Sequence, residues 1–156
     1  MQLEVEVELI LWRHADAEDG FPDEQRALSK KGHHDAKKMA AWLVKRLPSD
    51  SIILVSPAKR AQQTASYLDL PFTTSEKIAP GASGADVLQA CNWGTSHKTL
   101  LVVGHQPSLG MAASLAMTRR PYYWCVKKGS IWWLANRMKT EDQETIIRAV
   151  ISPEML

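Results

Sequence analysis

Residues 9–15, LILWRHA, form an apolar run that stops abruptly at an arginine and a histidine. A second run, residues 100–107 with the sequence LLVVGHQP, ends in the same way at His105. Continuous aliphatic runs of this length are typical of parallel strands that are buried on both faces. Because open α/β sheets bind ligands at the carboxyl ends of their strands, we expect Arg13, His14 and His105 to meet in one crevice.

Length and composition describe an ordinary globular protein. The 156 residues are 45% hydrophobic and 23% charged, which is enough for a buried core without disulfides or metal ions. The formal net charge is only +2, which is too small to indicate a surface that binds nucleic acid. We therefore expect one domain spanning residues 1–156, with no nucleic-acid partner.

The cysteines and the first residues of the chain predict the compartment. Cys91 and Cys125 have neither the spacing of a metal site nor the density of a secreted scaffold, so we expect reduced thiols. The opening residues alternate acidic and aliphatic side chains, whereas a signal peptide has a basic start and then an apolar stretch. No apolar run approaches the roughly 18 residues of a membrane span. These features predict a cytoplasmic protein without a membrane partner.

Strand and helix signals alternate along most of the chain. Strands are predicted over residues 5–12, 52–55, 72–74, 100–103, 130–134 and 145–150, with a polar connection over 136–142. Helices are predicted from an N-cap at Ser29 to before Pro48, from an N-cap at Ser56 to about Leu68, over 85–91 and over 108–117. This order predicts a three-layer α/β/α fold with a mostly parallel sheet and an antiparallel strand pair.

The residues at the strand ends are suited to phosphate chemistry. A histidine with one ring nitrogen held by a hydrogen bond can use the other, neutral nitrogen as a nucleophile, which favours phosphoryl transfer. The neighbouring guanidinium of Arg13 could bind phosphate oxygens and stabilise their charge in the transition state. Arg60 lies about one turn into a predicted helix, where anions are favoured. Taken alone, Arg13-His14 and Arg60 are better explained as structural or solvated residues, and His105 is equally well explained as a structural turn residue. Only their combination indicates a site.

Three motifs in this order resemble those of the histidine phosphatase superfamily, which has the phosphoglycerate-mutase-like fold. They are a strand ending in RH at residues 13–14, SPxxRAxxT at residues 56–64 and VGHxP at residues 103–107. The short chain, the pattern DxxRxLSxxG at residues 23–32 and the strand over 129–134 are most similar to SixA-type phosphohistidine phosphatases. The resemblance therefore implies a cofactor-independent phosphatase over nearly the whole chain.

The resemblance also implies roles for individual residues. It implies four catalytic and phosphate-binding residues, namely Arg13, His14, Arg60 and His105. His14 would accept the phosphoryl group, and the other three would bind it. Arg26 matches a further arginine of the SixA-like members, which could either touch the phosphate or pair with Asp23. The five histidines show no metal-ligand spacing, so we expect no metal ion.

Two departures from the family pattern affect the expected substrate. Ala15 replaces the usual glycine, which is costly if the backbone there needs a positive φ. The glutamate that many members use as general acid is missing from residues 78–86, IAPGASGAD. The candidate proton donors that remain are Asp16, Glu18, Asp23 and Asp86, each better interpreted as a solvated loop carboxylate. A protonated phosphohistidine can leave as neutral imidazole without a strong acid, so the missing glutamate favours a phosphohistidine substrate.

The chain between the second helix and the third strong strand is short. About 35 residues separate Thr64 from Leu100, which leaves little material for a helical cap over the pocket. An open pocket suits a phosphorylated protein, and the resemblance implies a phosphorelay histidine domain as a partner. Two alternatives stay open: a small-molecule phosphomonoesterase with the same fold, and a catalytically weak phosphate-binding module.

Overall fold

The computed structural model describes residues 6–139 and 142–156. Within these ranges the strands are β1 (Glu6–Arg13), β2 (Ile52–Val55), β3 (Thr73–Thr74), β4 (Leu100–Gly104), β5 (Ile131–Lys139) and β6 (Asp142–Ile151). The α-helices are α1 (Lys30–Val44), α2 (Lys59–Ser66), α3 (Gly84–Ala90) and α4 (Ser108–Thr118). Single turns of 3-10 helix occur at Asp23–Gln25, Glu76–Ile78 and Pro153–Met155. This order confirms the predicted alternation of strands and helices.

The strands form one sheet in the order β3-β2-β4-β1-β5-β6. The first four of these strands are parallel, whereas β5 runs antiparallel to β1 and to β6. Arg13 pairs with Gly104, and Val55 pairs with Val103, so β1, β2 and β4 end together at one edge of the sheet. The register therefore brings the residues after these three strands into one place, as the apolar runs predict.

Helices cover both faces of the sheet because β1 is apolar on both of its sides. Ile10 and Trp12 pack in one core with the buried side chains of α1 and α2. Leu9 and Leu11 pack in a second core with α3 and α4. Ser29 begins α1 as predicted, since its side chain accepts a hydrogen bond from the Gly32 amide at 2.9 Å. The predicted three-layer architecture is confirmed.

Two predicted boundaries are wrong. The last two strands form a long hairpin, so most of the predicted connection over residues 136–142 is strand. Residues 140–141 of that connection lie outside the described residues. Residue 5 of the first predicted strand also lies outside them. The second helix begins at Lys59 with Ala58 as its N-cap, instead of being capped by Ser56. The second half of β5 contains polar residues, so a hydrophobicity pattern does not predict it as strand. Its strand conformation comes from antiparallel pairing with β6.

None of the helices in the described ranges has the length and apolar character needed to cross a membrane.

Candidate active site

The backbone around His14 is held by three different parts of the chain. The His14 amide donates to the carbonyl of Gly104 at the end of β4, at 3.0 Å. The carbonyl of His14 accepts from the Gly129 amide, also at 3.0 Å. The next amide, that of Ala15, donates to the hydroxyl of Thr64 on α2 at 3.1 Å. The end of β1 is therefore fixed by β4, by the loop before β5 and by α2.

The ring of His14 presents a neutral nitrogen to the site. Nδ1 lies 2.7 Å from the carbonyl oxygen of Ala15. A carbonyl oxygen only accepts hydrogen bonds, so Nδ1 carries the proton and Nε2 is unprotonated, with its lone pair directed away from the ring. The pKa of His14 is lowered to about 4, chiefly by burial and also by the nearby Arg60 guanidinium, against the opposing effect of the Ala15 hydrogen bond. At neutral pH, Nε2 is thus an unprotonated base.

Arg60 lies directly beside this nitrogen. Its first-turn position on α2 brings its Nε to 3.3 Å from Nε2 of His14. Its side chain is only 6% exposed. The two terminal nitrogens donate to Asp23, one to the backbone oxygen at 2.8 Å and one to the carboxylate at 3.0 Å. The structure therefore brings together the histidine and the arginine of the first two motifs.

His105 follows β4 and lies on the other side of His14, with 5.1 Å between the ring centroids. Its Nε2 lies 2.7 Å from the hydroxyl oxygen of Ser56. Burial lowers the pKa of His105 to about 3, with further contributions from His14 and Arg60. Ser56 thus positions this histidine, and its hydroxyl also accepts from the Ala58 amide at 3.2 Å. Its contact with His105 could not be recognised from a motif that also fits a helix N-cap.

The side chain of Arg13 contacts the loop before β5. One terminal nitrogen donates to the carbonyl of Val126 at 2.8 Å, and burial lowers the pKa of the guanidinium. No direct hydrogen bond joins Arg13 to His14 among the described residues, although its charge contributes to lowering the pKa of that histidine. Arg13 therefore adds a positive charge near His14 while its side chain is hydrogen-bonded to the loop before β5.

Gly129 lets this loop approach β1 closely. Its φ is +75°, a conformation that favours glycine. A Cβ at this position would lie 2.9 Å from Cγ of Pro153 and 3.9 Å from the Cα of Ala15. No motif in the sequence identifies Val126 and Gly129 as part of the site, because they contribute backbone groups only.

Arg26 pairs with Asp23, one of the two roles left open by its sequence. It donates to the Asp23 carboxylate at 3.0 Å and to the Glu18 carbonyl at 2.9 Å. The Asp23 carboxylate therefore bridges two arginines, Arg26 and Arg60. Hydrogen bonds from these arginines, that from Arg26 first, hold the pKa of Asp23 below its usual range, so this carboxylate is ionised at neutral pH.

The other candidate proton donors lie apart from the histidines. Asp16 bonds to Ser29 and Lys128, Asp86 caps α3 through Ser83, and Glu18 is exposed. Within the described residues no carboxylate hydrogen-bonds to His14 or His105. No group of three or more His, Cys, Asp or Glu residues is placed to hold a metal ion in this part of the chain.

Alanine is compatible with the backbone at position 15. Ala15 is fully buried and packs with Leu28 and Ala36. In the described chain the non-glycine residues with positive φ are Asp69, Asn92 and Arg119. The position therefore does not require the conformation that would make glycine necessary.

Comparison with known proteins shows a family profile and a relative that are similar to this chain. The profile of the histidine phosphatase superfamily (branch 1) matches residues 9–80, a range that contains Arg13, His14 and Arg60. An uncharacterized protein of Mycobacterium tuberculosis is 34% identical over 105 residues. That match covers 65% of this chain and 66% of the relative, slightly less than two thirds of its length.

Solved structures share the fold over nearly the whole chain. The putative phosphohistidine phosphatase SixA from Nakamurella multipartitia superposes with a TM-score of 0.77 and 21% identity, covering 95% of this chain and 96% of that one. The protein histidine phosphatase SixA complexed with tungstate gives 0.74 and 23%, covering 95% and 98%. A mycobacterial glucosyl-3-phosphoglycerate phosphatase gives 0.65 and 19%, covering 92% and 98%. These likenesses confirm the predicted phosphoglycerate-mutase-like fold.

Proposed function

We propose that the chain belongs to the histidine phosphatase superfamily, whose profile matches residues 9–80, and that it is a phosphatase in which His14 is the nucleophile. The observation that carries the proposal is the state of the His14 ring. Nδ1 donates to the Ala15 carbonyl, the pKa of the ring is lowered to about 4, and the unprotonated Nε2 accepts a hydrogen bond from Nε of Arg60. A neutral nitrogen beside a buried cation is suited to attack an anionic phosphoryl group.

The reaction has two steps. In the first, Nε2 of His14 forms a bond to phosphorus while the bond from phosphorus to the leaving group breaks. The imidazolium that results is stabilised by the hydrogen bond from Nδ1 to Ala15. In the second step, water attacks phosphorus, a water proton is released, and the P–N bond to His14 breaks. Inorganic phosphate departs and the neutral histidine is regenerated.

Three further residues stabilise the transferring group in this proposal. Arg60 lies beside the attacking nitrogen, His105 faces His14 at a centroid distance of 5.1 Å, and Arg13 adds a positive charge nearby. Removing one such preorganised charge typically lowers a rate by about 10²–10³-fold. Arg60→Ala is therefore expected to lower turnover by about this factor.

We propose that the substrate is phosphohistidine on a cytoplasmic protein, such as a phosphorelay histidine domain. The chemistry of the leaving group supports this choice. The carboxylate nearest to the arginines of the site, Asp23, is ionised and held by Arg26 and Arg60. An alkoxide leaving group needs a strong proton donor, whereas an imidazole protonated by solvent leaves as a neutral molecule. The unliganded site is thus better suited to cleave P–N bonds than P–O bonds.

A small-molecule phosphomonoesterase is the alternative. The fold shared with a glucosyl-3-phosphoglycerate phosphatase favours it, since the same architecture is found in an enzyme named for a small substrate. This alternative requires a carboxyl group that becomes protonated when substrate binds.

The experiment that tests the proposal measures phosphate release, in EDTA, from a phosphohistidine protein and from p-nitrophenyl phosphate. Wild type is compared with His14→Ala and with the matched control His34→Ala, which removes an exposed imidazole from α1. The expected result is rapid release from phosphohistidine that is lost only in His14→Ala. Faster release from the ester would favour the small-molecule alternative, and phosphate binding without turnover would favour a binding module.

A further inference from the structure

Asp23 accepts hydrogen bonds from Arg60, which the proposed reaction needs for phosphate binding, and from Arg26. Both terminal nitrogens of Arg60 donate to this one residue, at 2.8 Å to its backbone oxygen and at 3.0 Å to its carboxylate. The other carboxylate oxygen accepts from Arg26 at 3.0 Å. The remaining donor of Arg60, Nε, is directed to His14. In this structure every nitrogen of the buried Arg60 side chain therefore has a partner.

A phosphoryl group requires the same hydrogen-bond donors. The planar fork of a guanidinium binds carboxylate and phosphate oxygens with the same bidentate geometry. A phosphorus atom in position for attack by Nε2 of His14 lies beside Arg60, because Nε of Arg60 is 3.3 Å from that nitrogen. The phosphate oxygens and the Asp23 carboxylate would then compete for one terminal nitrogen of Arg60 and one of Arg26, and would repel each other as like charges.

The exposed position of Asp23 allows its carboxylate to move away from Arg60 and Arg26. Its side chain is 55% exposed, whereas that of Arg60 is only 6% exposed. Asp23 begins a single 3-10 turn in the loop between β1 and α1, where residues 18–25 are all exposed. A carboxylate that swings outward from this position enters water and keeps its solvation. Arg60 has no such freedom and stays in the site to bind the incoming anion.

We propose that Asp23 is an internal competitor for the phosphoryl site, which sets the affinity for phosphate and assists its release. This inference rests on the proposed function. The carboxylate pairs with Arg60 and Arg26 and offsets their charge. A phosphoryl group displaces it, and when inorganic phosphate forms, the return of Asp23 to both arginines favours departure of the product. The neutral carboxamide in Asp23→Asn keeps an oxygen that can accept from Arg60 but removes the competing charge.

The test is direct binding of inorganic phosphate, measured by isothermal titration calorimetry on the full chain. Asp23→Asn is compared with wild type and with Asp19→Asn, which removes the same charge from an exposed position of the same loop. We expect Asp23→Asn to bind phosphate at least about tenfold more tightly, equivalent to about 1.4 kcal/mol, while Asp19→Asn binds like wild type. Inhibition of turnover by phosphate should strengthen by the same factor.

The direction of the change separates competition from a structural role. If Asp23 served only to order the loop, its replacement would weaken phosphate binding and lower the melting temperature, and that result would overturn the inference. Equal affinities in wild type and Asp23→Asn would also overturn it, while leaving the proposed phosphatase intact. If neither protein bound phosphate and neither released it from any substrate, the proposed function and this inference would both be wrong.

Discussion

Replacing Thr64 with valine removes a hydroxyl that holds the backbone next to His14. Thr64 is fully buried on α2. Its hydroxyl donates to the carbonyl of Arg60 at 2.7 Å and accepts the Ala15 amide at 3.1 Å. Valine has nearly the same shape but cannot accept a hydrogen bond. The variant therefore leaves a buried backbone N–H without its partner.

The expected loss of folding stability follows from the one buried amide, that of Ala15, which loses its hydrogen-bond acceptor. Leaving a buried donor unsatisfied costs about 1–3 kcal/mol. At about 2–4 °C per kcal/mol for a domain of this size, the melting temperature should fall by roughly 2–12 °C. The affected amide belongs to the residue after His14, so the rate of phosphoenzyme formation should fall as well. Thr64→Ser retains the hydroxyl and should retain most of that rate.

The assay combines urea unfolding with rapid-quench measurement of phosphoenzyme formation. A suitable control is Thr95→Val, because the Thr95 hydroxyl is exposed and contacts only the Asn92 carbonyl, and such surface changes usually stay within about 0.5 kcal/mol. An unchanged urea midpoint and an unchanged phosphorylation rate in Thr64→Val would refute the argument that this hydroxyl positions the nucleophile.

Three further outcomes are expected. Because the pKa values of His14 and His105 are lowered to about 4 and about 3, the unfolded chain binds protons that the folded protein excludes. The free energy of unfolding should therefore fall as pH decreases from about 6.5 toward 3, and a urea midpoint that is constant over this window would contradict the burial argument. Gly129→Ala should be destabilised more than Gly94→Ala, since both have positive φ but only Gly129 has an atom within 3 Å of the added Cβ; equal melting temperatures would exclude the steric contribution. Native protein should react rapidly with one equivalent of a thiol reagent at exposed Cys125, because the other cysteine is buried with its pKa raised to about 12, and loss of the rapid phase in Cys125→Ser checks the assignment.

The second helix illustrates what a local pattern can and cannot predict. Ser56 followed by proline satisfies the rule for a helix start, yet the helix begins at Lys59. The hydroxyl of Ser56 instead contacts His105 and accepts from the Ala58 amide. A serine side chain has the same donor and acceptor groups for either use. The choice depends on β2 and β4 being neighbours, which places Ser56 beside a histidine that is 49 residues away.

The hairpin of β5 and β6 shows that a local pattern also fails to predict where a strand ends. Residues 131–135 are apolar, and all of them except Trp132 are buried, so their strand character is visible in the sequence. Asn136 is also buried and continues β5, although it is polar. Its strand conformation is maintained by pairing with Thr145 of β6. A rule based on alternating hydrophobicity ends the strand too early, because pairing energy is absent from such a pattern.

The amino-acid sequence was sufficient to predict the architecture and to predict which residues meet at the carboxyl edge of the sheet. Apolar runs that end in Arg13-His14 and in His105 predict parallel strands and a shared edge, because burial and backbone hydrogen bonding constrain such runs strongly. Only the tertiary structure decided which partners these residues take: Ser56 for His105, Thr64 for the amide after His14, and Asp23 for Arg60. Each of these contacts joins residues far apart in the chain, and hydrogen bonds act only within about 3 Å, so they depend on strand order, register and loop paths that local sequence does not encode.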